Sequence, residues 1–168
     1  MKLLYCISAV QCEKDFSRYG DYLYKFFDAS VDWDTARSTC LSHNAYLVEP
    51  RSAEESNYIK SLGNRCGGRR NFWIGGIDIE DVEVFYWSYT GDLVESSFTD
   101  WYRGEPSDAE EKDIENCIEI RPNFNNQWND EECHRPRAFV CQKGILIIIQ
   151  KKLRSKITVF ADLKKLHN

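Results

Sequence analysis

Two helices followed by short strands that carry one long polar loop region define the fold class this sequence predicts: α/β of the α+β kind, with small antiparallel sheets. Three observations lead there. Apolar residues recur at helical spacing only in the first part of the chain. From Phe72 onward they fall in short runs bounded by Gly, Asp, Glu and Asn. Between Thr90 and Asn116 the chain is predominantly polar, with no helical or strand period of its own.

The first helix is expected to start at Asp32, whose side chain can accept from the backbone of the first turn, with Trp33, Ala36, Cys40 and Leu41 on one face. Ser52 and Glu55 form a capping-box signal ahead of Tyr58, Ile59 and Leu62, and Gly63 is the expected stop. Four strands then follow from apolar and β-branched runs: Phe72-Trp73-Ile74, Val84 to Trp87, Cys117 to Ile120, and Ala138 to Cys141. A loop as long as Thr90 to Asn116 is entropically costly to order, so something must tie it down. A bridge between Cys117 and Cys133 would pin the two oxygen-rich segments side by side, and one between Cys40 and Cys141 would clip the first helix to the last strand. Spacing alone leaves these pairings open.

Composition narrows the class. A chain of 168 residues with 14% aromatics can bury a real core, and seven cysteines argue for an oxidising compartment. No CxxC pair supports a zinc ribbon. The net charge of -5 conceals an acidic body, which repels nucleic acid, and a basic tail. Residues 1–11 read as a short or truncated secretory signal, residues 12–142 as the domain, and residues 143–168 as a basic and apolar tail. In that tail Lys151, Lys152, Arg154 and Lys156 stand beside Ile157, Val159, Phe160 and Leu163, a pattern that suits contact with an anionic membrane surface. The run Ile145 to Ile149 is too short to cross a bilayer.

The chemistry is concentrated in three oxygen-rich blocks, Glu105-Pro106-Ser107, Glu115-Asn116-Cys117 and Trp128-Asn129-Asp130. Carboxylate and amide oxygens are the hard ligands that Ca2+ selects, six to eight of them at a site. A rigid cage under-filled by protein can take its remaining oxygens from vicinal sugar hydroxyls. Enzymatic readings fare worse. His43, His134 and His167 are scattered without a nucleophile beside them, and carboxylates committed to a metal are poor general acids. Trp73, Trp87, Trp101 and Trp128 read as core or loop anchors, while Tyr102 or Phe124 is placed to reach a bound ring.

These blocks, with Trp73-Ile74-Gly75, Cys133 and Phe139-Val140-Cys141, resemble the C-type lectin domain over about Cys12 to Gln142. The resemblance implies a double-loop fold, disulfides Cys40–Cys141 and Cys117–Cys133, a cis Pro106, secretion, and a role in extracellular recognition such as innate immunity. It implies one Ca2+ held by Glu105, Ser107, Glu115, Asn129 and Asp130, and sugar bound through the same five residues. One position departs from the family pattern. Where mannose-type members carry Glu-Pro-Asn and galactose-type members Gln-Pro-Asp, this chain has Glu-Pro-Ser; Ser107 is shorter and lacks the amide donor. Glu105 keeps the mannose-like first position, and Asp108, Glu110, Glu111 or Asp113 could supply a substitute oxygen. An auxiliary calcium site would use Asp78, Asp108, Glu115 and the positions of Val82 and Asn116, with Glu80 or Asp81 shifting in. Cys12 lacks its usual partner because Leu23 stands in that place, so Cys12 to Cys66 is one solution and an intermolecular disulfide, hence a homo-oligomer, the other. The expected function is calcium-dependent carbohydrate binding to glycans bearing vicinal hydroxyls. The alternative is a lectin-like module that has lost sugar binding and recognises protein, lipid or mineral surfaces.

Overall fold

The computed structural model describes residues 15–80, 84–107 and 114–145. Eight strands and two helices follow one another as β1 (Ser17–Tyr19), β2 (Tyr22–Val31), α1 (Trp33–Ser42), β3 (Tyr46–Leu47), α2 (Ala53–Gly67), β4 (Phe72–Asp78), β5 (Phe85–Trp87), β6 (Cys117–Arg121), β7 (Gln127–Glu131) and β8 (Arg137–Gly144). All eight strands join one connected sheet in the order β1-β2-β8-β4-β6-β7, with β3 paired to β8 and β5 to β4. The pairings are antiparallel except for β4 with β8, which run parallel through Phe72 with Ala138 and Trp73 with Phe139. First and last strands meet in the middle: β2 pairs with β8 from Tyr22–Gly144 to Val31–Arg137, with a bulge between Phe27 and Val31.

Both faces of this sheet are covered. Because side chains alternate along a strand, Tyr24, Phe26, Phe72, Ile74, Ile118, Ile120, Ala138 and Val140 join one core, in which Ile59 and Leu62 of α2 also pack. Trp73, Cys117, Phe139 and Cys141 join the other, with Trp33, Ala36 and Cys40 of α1. A strand buried on both sides has no polar face, which is why the strand signals read as apolar runs, broken in Cys117 to Ile120 by Glu119 alone.

The helices start where the sequence places them. Asp32 accepts from the Thr35 N–H at 2.7 Å and Ser52 from the Glu55 N–H at 3.2 Å. Glu55 does not return to Ser52 itself. It accepts from the Arg51 N–H at 3.0 Å, while its other oxygen takes the Tyr24 hydroxyl at 2.6 Å and the Gln142 amide at 2.7 Å, tying α2 to β2 and β8.

Two expectations fail. Leu41 is 49% exposed, because Trp33, Ala36 and Cys40 make a narrow stripe fixed by Cys40, and Leu41 lies a further ~100° round the helix. Gly63 does not end α2; the helix runs on to Gly67 and stops at Gly68, in the left-handed region at φ 59°. Gly63 instead lets Phe72 approach: a Cβ there would lie 2.4 Å from Phe72 Cε1.

The disulfides Cys40–Cys141 and Cys117–Cys133 are both formed. The first joins α1 to β8. The second joins the start of β6 to the turn after β7. Cys66 is also disulfide-bonded, and its partner lies outside the described residues, as do Cys12 and Cys6. At the other end β8 pairs through Gly144, and the Ile145 N–H donates to the Asp21 carbonyl at 3.0 Å. The expected signal segment, the bulk of the basic tail and His167 lie outside the described residues.

Candidate functional site

The polar region after β5 is held by buried anchors. Glu49, fully buried, accepts from the Tyr89 N–H at 2.7 Å and the Thr90 hydroxyl at 3.1 Å, and so fixes where the region begins. Val94 is buried in the first core. Asp100 is paired to Lys60 of α2, and its carbonyl accepts from the Trp128 N–H at 2.8 Å. The Trp128 carbonyl accepts in turn from the Tyr102 N–H at 2.9 Å, and the Tyr102 carbonyl from the Glu105 N–H at 2.9 Å. This ladder lays Glu105 alongside β7. The Glu105–Pro106 peptide is cis, as expected.

Glu105, Ser107 and Asp130 form one connected group. The Ser107 N–H donates to Asp130 Oδ2 at 2.8 Å, and the Ser107 hydroxyl donates to Glu105 Oε2 at 2.7 Å. Asp130 is 1% exposed, and its Oδ1 is buried with no hydrogen-bond partner. Burial above all, then the adjoining Glu105 carboxyl, pushes Asp130 up to about 8. A buried carboxylate oxygen without a donor, beside a second carboxyl, suits a hard cation, which would relieve both penalties at once.

Asn129 is next along β7 and 4% exposed. Its amide donates to the Asp130 carbonyl and reaches Glu119 Oε1 at 3.5 Å. Glu119 is fully buried and also accepts from Asn71 at 2.8 Å and from Arg137 Nε at 2.5 Å. Burial pushes its carboxyl upward despite the Arg137 guanidinium. Glu119 thus supports Asn129 from behind, a role the sequence analysis missed. Its signal was a single acid inside the apolar strand Cys117 to Ile120.

Glu115 stands two residues ahead of β6, and among the described residues no three His, Cys, Asp or Glu side chains converge as a metal site. The substitute oxygens Asp108, Glu110, Glu111 and Asp113 lie outside the described residues, as do Asp81 and Val82. Asp78, expected at the auxiliary site, accepts from the N–H groups of Glu80 and Val84 at 3.0 and 3.2 Å, bracing the turn between β4 and β5. Tyr102 and Phe124 stack on one another with centroids 4.2 Å apart, and Arg121 lies over Phe124. Trp73, Trp87 and Trp128 are buried, and Trp101 packs against the core. His43 lies beside Phe16 and Phe27, and His134 pairs with Glu132.

A double-sided sheet with two helices, clipped by these two disulfides and carrying an oxygen-rich site between loop and strand, defines a lectin-like binding domain. The family model described as Lectin C-type domain matches residues 29–143, and the chain belongs to that family. It is 29% identical to the galactose-specific lectin nattectin of Thalassophryne nattereri, over 80% of this chain and 81% of that one. Perlucin of Haliotis laevigata is 26% identical over 79% of this chain and 83% of its own length. The mouse CD209 antigen-like protein A is 29% identical, but the match spans only 52% of that longer protein. Among solved structures, human lithostathine superposes with a TM-score of 0.69 at 26% identity, covering 82% of this chain and 93% of that one. A calcium-independent type II antifreeze protein, at 22% identity and a TM-score of 0.66 over 79% of this chain and 95% of its own, shares the fold alone. The family is one of lectins rather than enzymes.

Proposed function

We propose that this chain is a secreted lectin that binds glycans through a Ca2+ ion held by Glu105, Ser107, Glu115, Asn129 and Asp130. The observation that carries the reading is the partnerless, buried Oδ1 of Asp130 beside Glu105. When bound, the ion supplies a Lewis-acidic centre whose open positions accept two vicinal hydroxyls. The protein's own part is to hold the oxygens. The β7 backbone fixes Asn129 and Asp130, and the Tyr102 carbonyl fixes Glu105. Glu115, two residues ahead of β6, is the fifth ligand of the proposed set. Sugars with equatorial vicinal diols, of the mannose, glucose or fucose kind, are the expected ligands, since Glu105 stands at the mannose-type position. No helix among the described residues is long and apolar enough to cross a membrane.

One observation favours a second reading, a lectin-like module that binds protein, lipid or mineral surfaces instead. The Ser107 hydroxyl donates to Glu105 Oε2, so serine occupies an oxygen the ion requires and offers no amide to a sugar. Calorimetry with Ca2+, then competition by monosaccharides on the loaded protein, separates the two. Metal uptake with sugar competition supports the lectin; metal uptake without it selects the module. Glycan retention unchanged by EGTA overturns the calcium-dependent reading.

A further inference from the structure

The end of α2, the bulged part of β2 and the starts of β4 and β8 surround a cleft of about 360 Å³ whose polar lining is Ser30, Arg69, Arg70, Asn71 and Arg137. Clefts of this size hold small ligands. None of Glu105, Ser107, Asn129 or Asp130 lines it, and no carboxylate does.

The three guanidinium groups are not equivalent. Arg137 is committed: Nε donates to Glu119 at 2.5 Å, Nη2 to Glu131 at 2.5 Å and Nη1 to the Pro136 carbonyl at 3.2 Å. It forms a wall, not a free charge. Arg70 spends Nε on the Gly67 carbonyl at 3.1 Å and Nη2 on Asp28, and among the described residues Nη1 has no acceptor. Arg69 is exposed and makes neither an ion pair nor a hydrogen bond among the described residues. It is held at φ 67°, a left-handed conformation that disfavours a branched-Cβ or bulky side chain and is more readily adopted by glycine. The Ser30 hydroxyl is likewise unengaged. The Gly67 carbonyl, which would repel an anion at this helix terminus, is covered by Arg70 through both its side chain and its N–H, the latter at 3.3 Å.

Apart from the side-chain carbonyl of Asn71, whose amide is given to Glu119, the unspent polar groups of the lining can all donate: one whole guanidinium, the edge of another and a hydroxyl. We propose that this cleft is an oxyanion site that takes a sulfate or phosphate monoester, independently of calcium. A planar carboxylate is satisfied by one arginine fork, whereas a tetrahedral ester presents three terminal oxygens to donors arriving from three directions. Arg69 supplies the uncompensated charge, Arg70 the second donor, and Ser30 the third.

The test uses the full chain in EDTA at low ionic strength, with the arginine Nε–H resonances followed by NMR. The probes are inorganic sulfate, inorganic phosphate, glucose 6-sulfate and glucose 6-phosphate, against acetate and plain glucose. Arg69 and Arg70 should shift with the oxyanions and not with acetate or glucose. Arg69→Gly, which suits the backbone at this φ, should weaken binding about tenfold, the scale of a charge-assisted pair. Arg18→Ala, whose guanidinium lies away from the cleft and donates to the Gly20 carbonyl, should leave it unchanged. Sugar esters binding more tightly than the inorganic ions would assign the source to a decorated glycan; equal binding would assign it to the free ion. The proposal is overturned if Arg69 and Arg70 do not respond, or if Arg69→Gly and Arg18→Ala behave alike. Binding that requires calcium would overturn it too, without touching the lectin reading.

Discussion

At the scale of single residues, the candidate site trades stability for ligand capacity. Asp130 is buried beside Glu105 with one oxygen unmatched, and its carboxyl is pushed up to about 8, so ionising it in the calcium-free fold is unfavourable. Asp130→Asn removes that penalty. We expect this variant to melt at or above the parent temperature without calcium, and to lose the stabilisation that calcium gives the parent; scanning calorimetry with and without Ca2+ measures both. A variant that keeps the calcium-dependent gain would place the cage elsewhere. Ser107 gives the complementary case. Ser107→Asn should break the hydroxyl bond to Glu105 and add an amide that can ligate the ion and donate to a sugar. Affinity for mannose should rise about tenfold, or ~1.5 kcal/mol, on a mannose column. The five residues of the proposed site stand out in the sequence because oxygen donors cluster in three short blocks. Glu119 was not, because one acid in an apolar strand looks like an interruption until Asn71, Asn129 and Arg137 converge on it.

At the scale of elements, close approach decides what composition suggested. Gly63 reads as a helix stop, yet it is where α2 rests on Phe72. Gly63→Ala should improve helix propensity and still destabilise the fold, by about 1–3 kcal/mol, because the ring must move to admit a methyl group. Urea denaturation will show the sign; a stabilised variant would mean the ring moves freely. The end of β8 behaves differently. A chain ending at Gln142 loses the pairs Leu23–Lys143 and Tyr22–Gly144 and the bond from Ile145 to Asp21. It should melt several degrees below a chain ending at Ile145, on the scale of about 1 kcal/mol per few degrees for a domain this size. Equal melting temperatures would mean that residues 143–145 add nothing to the fold.

At the scale of the whole molecule, the two described disulfides divide the labour. Cys40–Cys141 spans 101 residues and ties α1 to the central strand β8. Replacing both cysteines with Ala should cost about 2–4 kcal/mol by freeing the unfolded chain. Cys117–Cys133 spans only 16 residues, but both partners border the β6–β7 pair that carries Asn129 and Asp130. Its removal should weaken calcium binding more than its smaller loop suggests. Paired calorimetric titrations and melts of the two double variants test this, and the same rank order in both measurements would contradict it.

The sequence by itself determined the helix starts, the four apolar strand runs, the oxygen-rich blocks and the family to which they belong. These signals are local, or they repeat at the fixed periods of helix and strand. Only the tertiary structure decided that β2 is the longest strand and pairs with β8, since the first half of Tyr22–Val31 has a buried partner strand and its bulged second half does not alternate. It alone turned Gly63 from a stop into a contact, exposed Leu41, left Asp130 with an unmatched oxygen and gathered Arg69, Arg70 and Ser30 around one cleft. Each of these depends on what lies across space from a residue, and a neighbour distant in the chain leaves no period or spacing in the sequence from which to read it.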